Sequence, residues 1–163
     1  MDEMHLVVTP VLPASSPRPL GPVGALGRAW EHRAVTSDAC PCGTGRDLAD
    51  CCGRFLAGRA EAPTAEQLMR SRYTAFARGD AAYLTTTWHP GTRPRRVVVD
   101  PRQRWVGLDV LAVTGGGMLA AEGTVEFVAR SERDGVPAEL HEVSAFTKVD
   151  GAWRYVGPAD ASV

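Results

Sequence analysis

The chain has 163 residues, 44% of them hydrophobic, and a formal net charge of −1 from 18 basic and 19 acidic residues. That length suits one ordinary domain with small additions, and the composition supplies a hydrophobic core. The balanced charge provides no global field to attract nucleic acid or an anionic membrane, so neither is an expected partner. No apolar run approaches the roughly 20 residues of a transmembrane helix.

Residues 1–37 are rich in proline, serine and glycine and show no lasting helical or strand period. Such a segment buries too little surface to offset its ordering entropy, so we predict a disordered N-terminal extension. It opens acidic and lacks the basic start of a signal peptide, which makes the cytoplasm the expected compartment. A further hypothesis is that translation starts at a GTG codon for Val35 and that residues 1–34 are not translated.

Four cysteines lie in the segment DACPCGTGRDLADCCGRF, with the spacing C-x-C-x8-C-C. A reducing cytosol disfavours disulfides, so clustered cysteines there indicate metal binding. Four thiolates can surround one Zn²⁺ tetrahedrally and leave no position for a catalytic water, so we predict one structural zinc. A disulfide, an iron–sulfur cluster and free buried cysteines are the alternatives. The predicted zinc ligands are Cys40, Cys42, Cys51 and Cys52.

Two helices are predicted after the cysteines. The segment 64–79 has apolar residues at helical spacing, with Thr64 as a favourable N-cap and Gly79 as a favourable C-terminal stop. A second, short helix is predicted from Asp80 to about Trp88, because a following proline discourages further helix.

Five β-rich segments follow these helices. Gly-rich or Asp-Gly turns separate the later segments, and Asp150-Gly151 is a strong signal for a two-residue hairpin. Helices followed by hairpin-linked strands predict an α+β domain with a curved antiparallel sheet. The five segments are RRVVV, RWVGLDVLAV, MLAAEGTVEFVARS, ELHEVSAFTKV and AWRYVG.

Two parts of the chain resemble a known family. CPCGTGRDLADCCG resembles the SEC-C motif, a small zinc-binding module. LMRSRYTAFARGDAAYLTTTWHP, WVGLDVL, GTVEFVAR, HEVSAF and GAWRYVG are similar to the YchJ family (UPF0225), in which SEC-C precedes a middle domain. The resemblance implies a SEC-C module at 38–60 and an NTF2-like α+β cone at 61–163, with helices packed on a strongly curved sheet. It implies no established biochemical activity.

An NTF2-like cone often encloses a cavity, which relatives of the fold use for catalysis or for ligand binding. Strand alternation places Glu142 on the apolar face and His141 on the other, so these neighbours do not form a catalytic pair. A carboxylate on an apolar face needs a partner, which Arg70 or Arg72 could supply, and we favour a structural ion pair over an acid–base role. His89 is either a helix cap or a general base. For Tyr73 and the strand tryptophans the competing interpretation is core packing, and for Arg72 it is a solvated face or a salt bridge. The candidate cavity residues are Arg72, Tyr73, Trp88, Trp105, Ser144 and Trp153.

These patterns favour a noncatalytic zinc-binding protein that binds a protein partner or a small ligand. One alternative is an enzyme of isomerase, dehydratase or hydrolase type, with Glu142, His89 or His141 as acid–base candidates. Another is a ribosome- or translocation-associated factor, by analogy with other SEC-C proteins. Asp47 and Asp50 count against the latter, because they weaken any basic patch between the cysteine pairs. A homodimer is a further alternative.

Overall fold

The structure is a computed structural model that describes residues 39–159. The predicted disordered extension at 1–37 and the hypothesis about Val35 therefore lie outside the described residues. Within the described part, no helix is long and apolar enough to cross a membrane. The order of elements is a cysteine-bearing segment, then helices, then a sheet.

The helical part contains one 3₁₀ turn and three α-helices. The turn is Leu48–Asp50, and the helices are α1 at Gly53–Leu56, α2 at Ala65–Arg78 and α3 at Ala81–Thr86. The predicted limits of α2 are confirmed. Thr64 Oγ1 accepts a hydrogen bond from the backbone N–H of Gln67 at 3.2 Å, and Gly79 ends the helix with φ of 73°.

The sheet has four antiparallel strands in the order β1–β2–β3–β4. They are β1 at Gln103–Gly115, β2 at Glu122–Arg133, β3 at Val136–Val149 and β4 at Ala152–Pro158. The predicted turn at Asp150-Gly151 joins β3 to β4, with φ of 52° and 80° as a primed hairpin turn requires. The α+β prediction is confirmed.

The segment RRVVV at residues 95–99 was predicted as a strand, and this prediction is wrong. It pairs with no strand of the described sheet and forms no helix. Val97 packs against the core, whereas Val98 is 41% exposed. Strand propensity reflects how well a residue packs within a sheet, so β-branched residues without a pairing strand form an extended connection instead.

Helix α3 ends at Thr86, before the predicted end at Trp88. The cause is pairing with β4. The backbone N–H of Tyr155 donates to the carbonyl of Thr87 at 2.9 Å, and the N–H of His89 donates to the carbonyl of Tyr155 at 2.8 Å. These backbone groups bind the sheet, so they cannot continue the helix.

The main core lies between α2 and one face of the sheet. Its largest fully buried side chain is Trp153, whose Nε1 donates to the carbonyl of Pro63 at 3.1 Å. A second, smaller buried cluster contains the four cysteines, with Leu48 and Leu56 packed against it. The main core includes Phe55, Leu68, Met69, Tyr73, Leu108, Val125, Phe127, Phe146, Trp153 and Tyr155.

In the connection between β1 and β2, the backbone of Gly116 packs directly against the backbone of Gly123. A Cβ at Gly123 would overlap the backbone nitrogen of Gly116. Gly116 also accepts a hydrogen bond through its carbonyl from the N–H of Ala65 at 2.9 Å, so this contact fixes the start of α2.

We expect Gly123→Ala to lower the free energy of unfolding by about 1–3 kcal/mol, because the backbone must shift to admit the methyl group.

Chemical denaturation measures this loss. Gly117→Ala is the matched control, because a Cβ there meets no atom within 4 Å. An equal loss of stability in both variants would contradict the proposed overlap.

Candidate functional site

The four cysteines form one compact sulfur cluster. Their sulfur atoms all lie within 4.8 Å of one another, and none is in a disulfide. The Sγ atoms of Cys42 and Cys51 are 3.5 Å apart, and those of Cys51 and Cys52 are 4.0 Å apart. A tetrahedron with metal–sulfur bonds of about 2.3 Å has sulfur–sulfur edges of about 3.8 Å. The cluster therefore fits a four-thiolate metal site.

Local backbone geometry brings the two cysteine pairs together. The N–H of Cys40 donates to the carbonyl of Arg46 at 2.9 Å, which closes the loop between the pairs. Gly43 lies in that loop with φ of 80°, a conformation that side-chain-bearing residues rarely adopt. Thr44 Oγ1 lies 3.3 Å from the sulfurs of both Cys42 and Cys51. Because a hydroxyl can donate to a thiolate, Thr44 supports the ligands from outside the cluster, a role that sequence reasoning missed.

The thiols of the cluster influence each other's ionisation. Hydrogen bonds from Cys42 and Cys52 hold the pKa of Cys40 well below its ordinary value. The hydrogen bond to Cys40 raises the pKa of Cys52. The ionisation of Cys40 is therefore coupled to that of Cys52, and the thiolate is the form that binds a metal ion.

Helix α2 holds the cysteine cluster against the rest of the protein. Arg70 Nη1 donates to the carbonyl of Cys42 at 2.9 Å, and its Nε donates to Glu66 at 2.8 Å. One turn further along, Thr74 Oγ1 lies 3.7 Å from the sulfur of Cys40. The metal-binding loop is therefore docked on one side of α2 and does not stand free.

A small cavity of about 50 Å³ lies between α2 and the sheet. Five of the six candidate cavity residues line it, and Trp153 does not, because it packs in the core beneath Pro63. Tyr155 and Phe76 also line it. Neither residue was among the candidates, because no local signal in the sequence distinguishes a cavity wall from a filled core. The five candidates are Arg72, Tyr73, Trp88, Trp105 and Ser144.

Arg72 is a buried cation in the wall of this cavity, with only 5% of its surface exposed. Its Nη1 donates to the carbonyl of Leu84 at 2.9 Å and to Thr87 Oγ1 at 2.8 Å. Its Cζ lies 5.0 Å from the ring centroid of Trp88 and 4.5 Å from that of Tyr155. Burial lowers the pKa of Arg72 to about 10, so the side chain remains charged at neutral pH.

Glu142 also faces the cavity, but its partners differ from the expected ones. Its Oε1 accepts hydrogen bonds from Ser144 at 2.6 Å and Tyr155 at 3.0 Å. The predicted ion pair with Arg70 or Arg72 is wrong: neither guanidinium lies within 4.0 Å of this carboxylate, and Arg70 instead binds the cysteine loop. Sequence spacing could not show that the hydroxyl groups of Ser144 and Tyr155, rather than an arginine, would donate hydrogen bonds to the Glu142 carboxylate.

The two candidate histidines do not line the cavity. His89 Nδ1 accepts a hydrogen bond from the N–H of Gly91 at 3.1 Å, within the turn after α3. His141 lies on the outer face of β3, where its Nε2 is 2.8 Å from Glu126. Of the three acid–base candidates, Glu142 alone faces the cavity.

A four-cysteine SEC-C site followed by an NTF2-like α+β domain is the class of protein that this fold and site define. The family description "YchJ, middle NTF2-like domain" matches residues 64–158, and "SEC-C motif" matches residues 37–54. The chain therefore belongs to the UPF0225 (YchJ) family, which confirms the resemblance found in the sequence.

Relatives and solved structures agree with this assignment. A UPF0225 protein of Streptomyces coelicolor is 55% identical over 116 residues, which cover 71% of this chain and 90% of the relative. One from Chromobacterium violaceum is 50% identical over 122 residues, covering 72% of this chain and 90% of the relative. The solution structure of a SEC-C motif containing protein from Rhodopseudomonas palustris is similar with TM-score 0.64 and 37% identity, covering 72% of this chain and 94% of that one. The crystal structure of a sec-c motif containing protein from Psychrobacter arcticus is similar with TM-score 0.62 and 25% identity, covering 79% of this chain and 85% of that one.

Removal of the Arg70 guanidinium should weaken metal retention. Arg70→Ala deletes the hydrogen bond to the carbonyl of Cys42, so the loop that carries two ligands loses its anchor on α2. Loss of such an outer contact typically costs about 10- to 100-fold in metal affinity, and we expect a loss in that range. Competition with a coloured chelator measures the affinity.

Arg78→Ala is the control, because Arg78 is exposed at the end of the same helix and makes no hydrogen bond or ion pair within the described residues. Unchanged metal affinity in Arg70→Ala would show that the anchor does not support the metal site.

Proposed function

We propose that this protein is a noncatalytic, zinc-stabilised ligand-binding module. One zinc ion holds the SEC-C loop in shape, and the cavity beneath α2 receives a small ligand. The observation that carries the proposal is the pair of oppositely charged side chains, Arg72 and Glu142, which face the same cavity without binding each other.

Zinc is the metal that best suits the cysteine cluster. Four sulfur ligands with tetrahedral spacing are typical of structural zinc sites, and such sites have no position left for a catalytic water. The cysteines are at most 8% exposed, which suits a structural role better than chemistry on an incoming substrate. Reduced, clustered cysteines also suit the cytoplasm, where we place the protein.

The cavity supports ligand binding through its composition. Most of its walls are aromatic or aliphatic, with a few polar groups among them, as in ordinary small-molecule sites. Its volume of about 50 Å³ is far below the roughly 300 Å³ or more of a drug-sized pocket. The ligand is therefore small, or only one end of it enters the cavity.

An enzyme that uses the cavity is the second candidate, because Glu142 faces the interior and its Oε2 accepts no hydrogen bond from residues 39–159. Glu142 would be its acid–base group. Both candidate histidines lie elsewhere, so no second acid–base candidate from the sequence faces Glu142. A ligand-binding role needs no second group, and we favour it for that reason.

Metal analysis tests the zinc assignment. Protein purified without chelator should contain about one zinc per chain, as a closed four-thiolate site requires. Cys51→Ser should lower this content, and chelation should disorder the cysteine segment while most of the sheet signal in circular dichroism survives. A zinc content near zero, with four reactive thiols in the folded protein, would overturn the assignment.

Blocking the cavity tests the ligand-binding role. Leu140 is a half-buried wall residue, so Leu140→Trp should fill the space and abolish retention of small molecules from a cell extract. Native mass spectrometry detects the retained molecules. His141→Trp is the matched control, because His141 is the next residue on the same strand and faces outward. The proposal fails if the wild type retains nothing, or if both variants retain the same molecules as the wild type.

A further inference from the structure

We propose that the cavity binds a small zwitterion, an α-amino acid with an apolar side chain, with the carboxylate on Arg72 and the ammonium group on Glu142. This inference rests on the proposed function, because it names the ligand of the same cavity. Four features of the cavity support this proposal. They are the free edge of the Arg72 guanidinium, the free oxygen of Glu142, the opposite charges of these two residues, and the apolar mouth of the cavity.

Arg72 has one edge of its guanidinium available. Its contacts to Leu84 and Thr87 both use Nη1, and its Nε and Nη2 make no hydrogen bond within the described residues. Arg72 lines the cavity, so this edge lies at the cavity wall. The Nε and Nη2 groups present two parallel N–H donors, an arrangement that fits the two oxygens of a carboxylate.

Glu142 has one carboxylate oxygen available. Ser144 and Tyr155 both donate to its Oε1, and Oε2 accepts no hydrogen bond within the described residues. Glu142 is half-buried and lines the cavity. An ionised carboxylate can only accept hydrogen bonds, so its free oxygen calls for a donor, and an ammonium group is the strongest match.

The two charges lie close to each other because Tyr155 contacts both. Its hydroxyl donates to Glu142, and its ring faces the guanidinium of Arg72. A simple anion on Arg72 would therefore sit near a like charge on Glu142, and a simple cation on Glu142 would sit near Arg72. A ligand with both charges places an opposite charge beside each residue and leaves the cavity neutral, which avoids an uncompensated buried charge.

The cavity's size and its mouth define the remainder of the ligand. Its volume of about 50 Å³ suits a small polar head better than a whole ligand. Phe76, Trp105 and Leu140 line the cavity but are only partly buried, so they form its outer part. These side chains offer an apolar surface to the ligand's own side chain.

Binding of three related probes to the full-length, zinc-loaded protein tests the proposal. L-Leucine has both charged groups, leucinamide lacks the carboxylate, and 4-methylpentanoate lacks the ammonium group. Isothermal titration calorimetry with each probe, up to millimolar concentration, should show binding of leucine and at least about thirtyfold weaker binding of the other two. No protein variant is needed for this comparison, so folding defects cannot obscure it.

Glu142→Gln adds a test of the assigned contact. This variant should bind leucine at least about thirtyfold more weakly than the wild type. Its preference for leucine over 4-methylpentanoate should also narrow or reverse, because the negative charge that repels the anionic probe is removed. A merely structural role for Glu142 would weaken both probes alike. Glu126→Gln, the same change on the outer face of the sheet, should leave both affinities unchanged.

The outcomes separate the two proposals. Equal or tighter binding of leucinamide or 4-methylpentanoate by the wild type would overturn the zwitterion and leave the cavity as a binding site. Failure of all three probes to bind would also overturn the zwitterion, and the Leu140→Trp comparison would then decide whether the cavity binds any small molecule. An unchanged probe preference in Glu142→Gln would overturn the contact between Glu142 and the ammonium group.

Discussion

A buried guanidinium keeps its charge only where other groups replace the water that it has lost. Arg72 obtains a carbonyl from Leu84, a hydroxyl from Thr87 and the faces of two aromatic rings. These groups come from the end of α3, from the residues that follow it and from β4. One side chain on α2 therefore depends on the assembly of three other parts of the chain. The cavity lies where this assembly leaves one edge of Arg72 without a hydrogen-bond partner among residues 39–159.

The same assembly explains why the chain leaves helical geometry where it does. The carbonyl of Leu84 and the hydroxyl of Thr87 serve Arg72 at the C-terminal end of α3, where intrahelical partners run out. Residues 87–89 then exchange backbone hydrogen bonds with Tyr155 on β4. This pairing holds the ring of Trp88 against that of Tyr155, with centroids 5.0 Å apart. One set of contacts thus ends helix α3, pairs the following residues with β4 and surrounds the Arg72 guanidinium.

Local signals in the sequence predicted local structure well. Thr64 and Gly79 set the limits of α2, Asp150-Gly151 gave the last hairpin, and alternation placed Glu142 on the inner face, because each depends on neighbours in the chain. The failures depend on distant residues. RRVVV has strand propensity but pairs with no strand of the described sheet, and Glu142 takes its partners from hydroxyl groups on β3 and β4 rather than from α2. Spacing identified the four cysteines, but Arg70 as their anchor could only be found in three dimensions.

Helix α2 links the two sites that the sequence had treated as separate modules. Arg70 and Arg72 are two residues apart, so their side chains leave the helix in different directions, one toward the cysteine loop and one toward the cavity. Thr74 adds a second contact with the cysteine cluster, and Tyr73 adds a second wall to the cavity. In the proposed function, a metal that holds the loop also limits the movement of α2, and the position of α2 sets the distance between Arg72 and Glu142. A structural zinc can in this way influence ligand binding without touching the ligand.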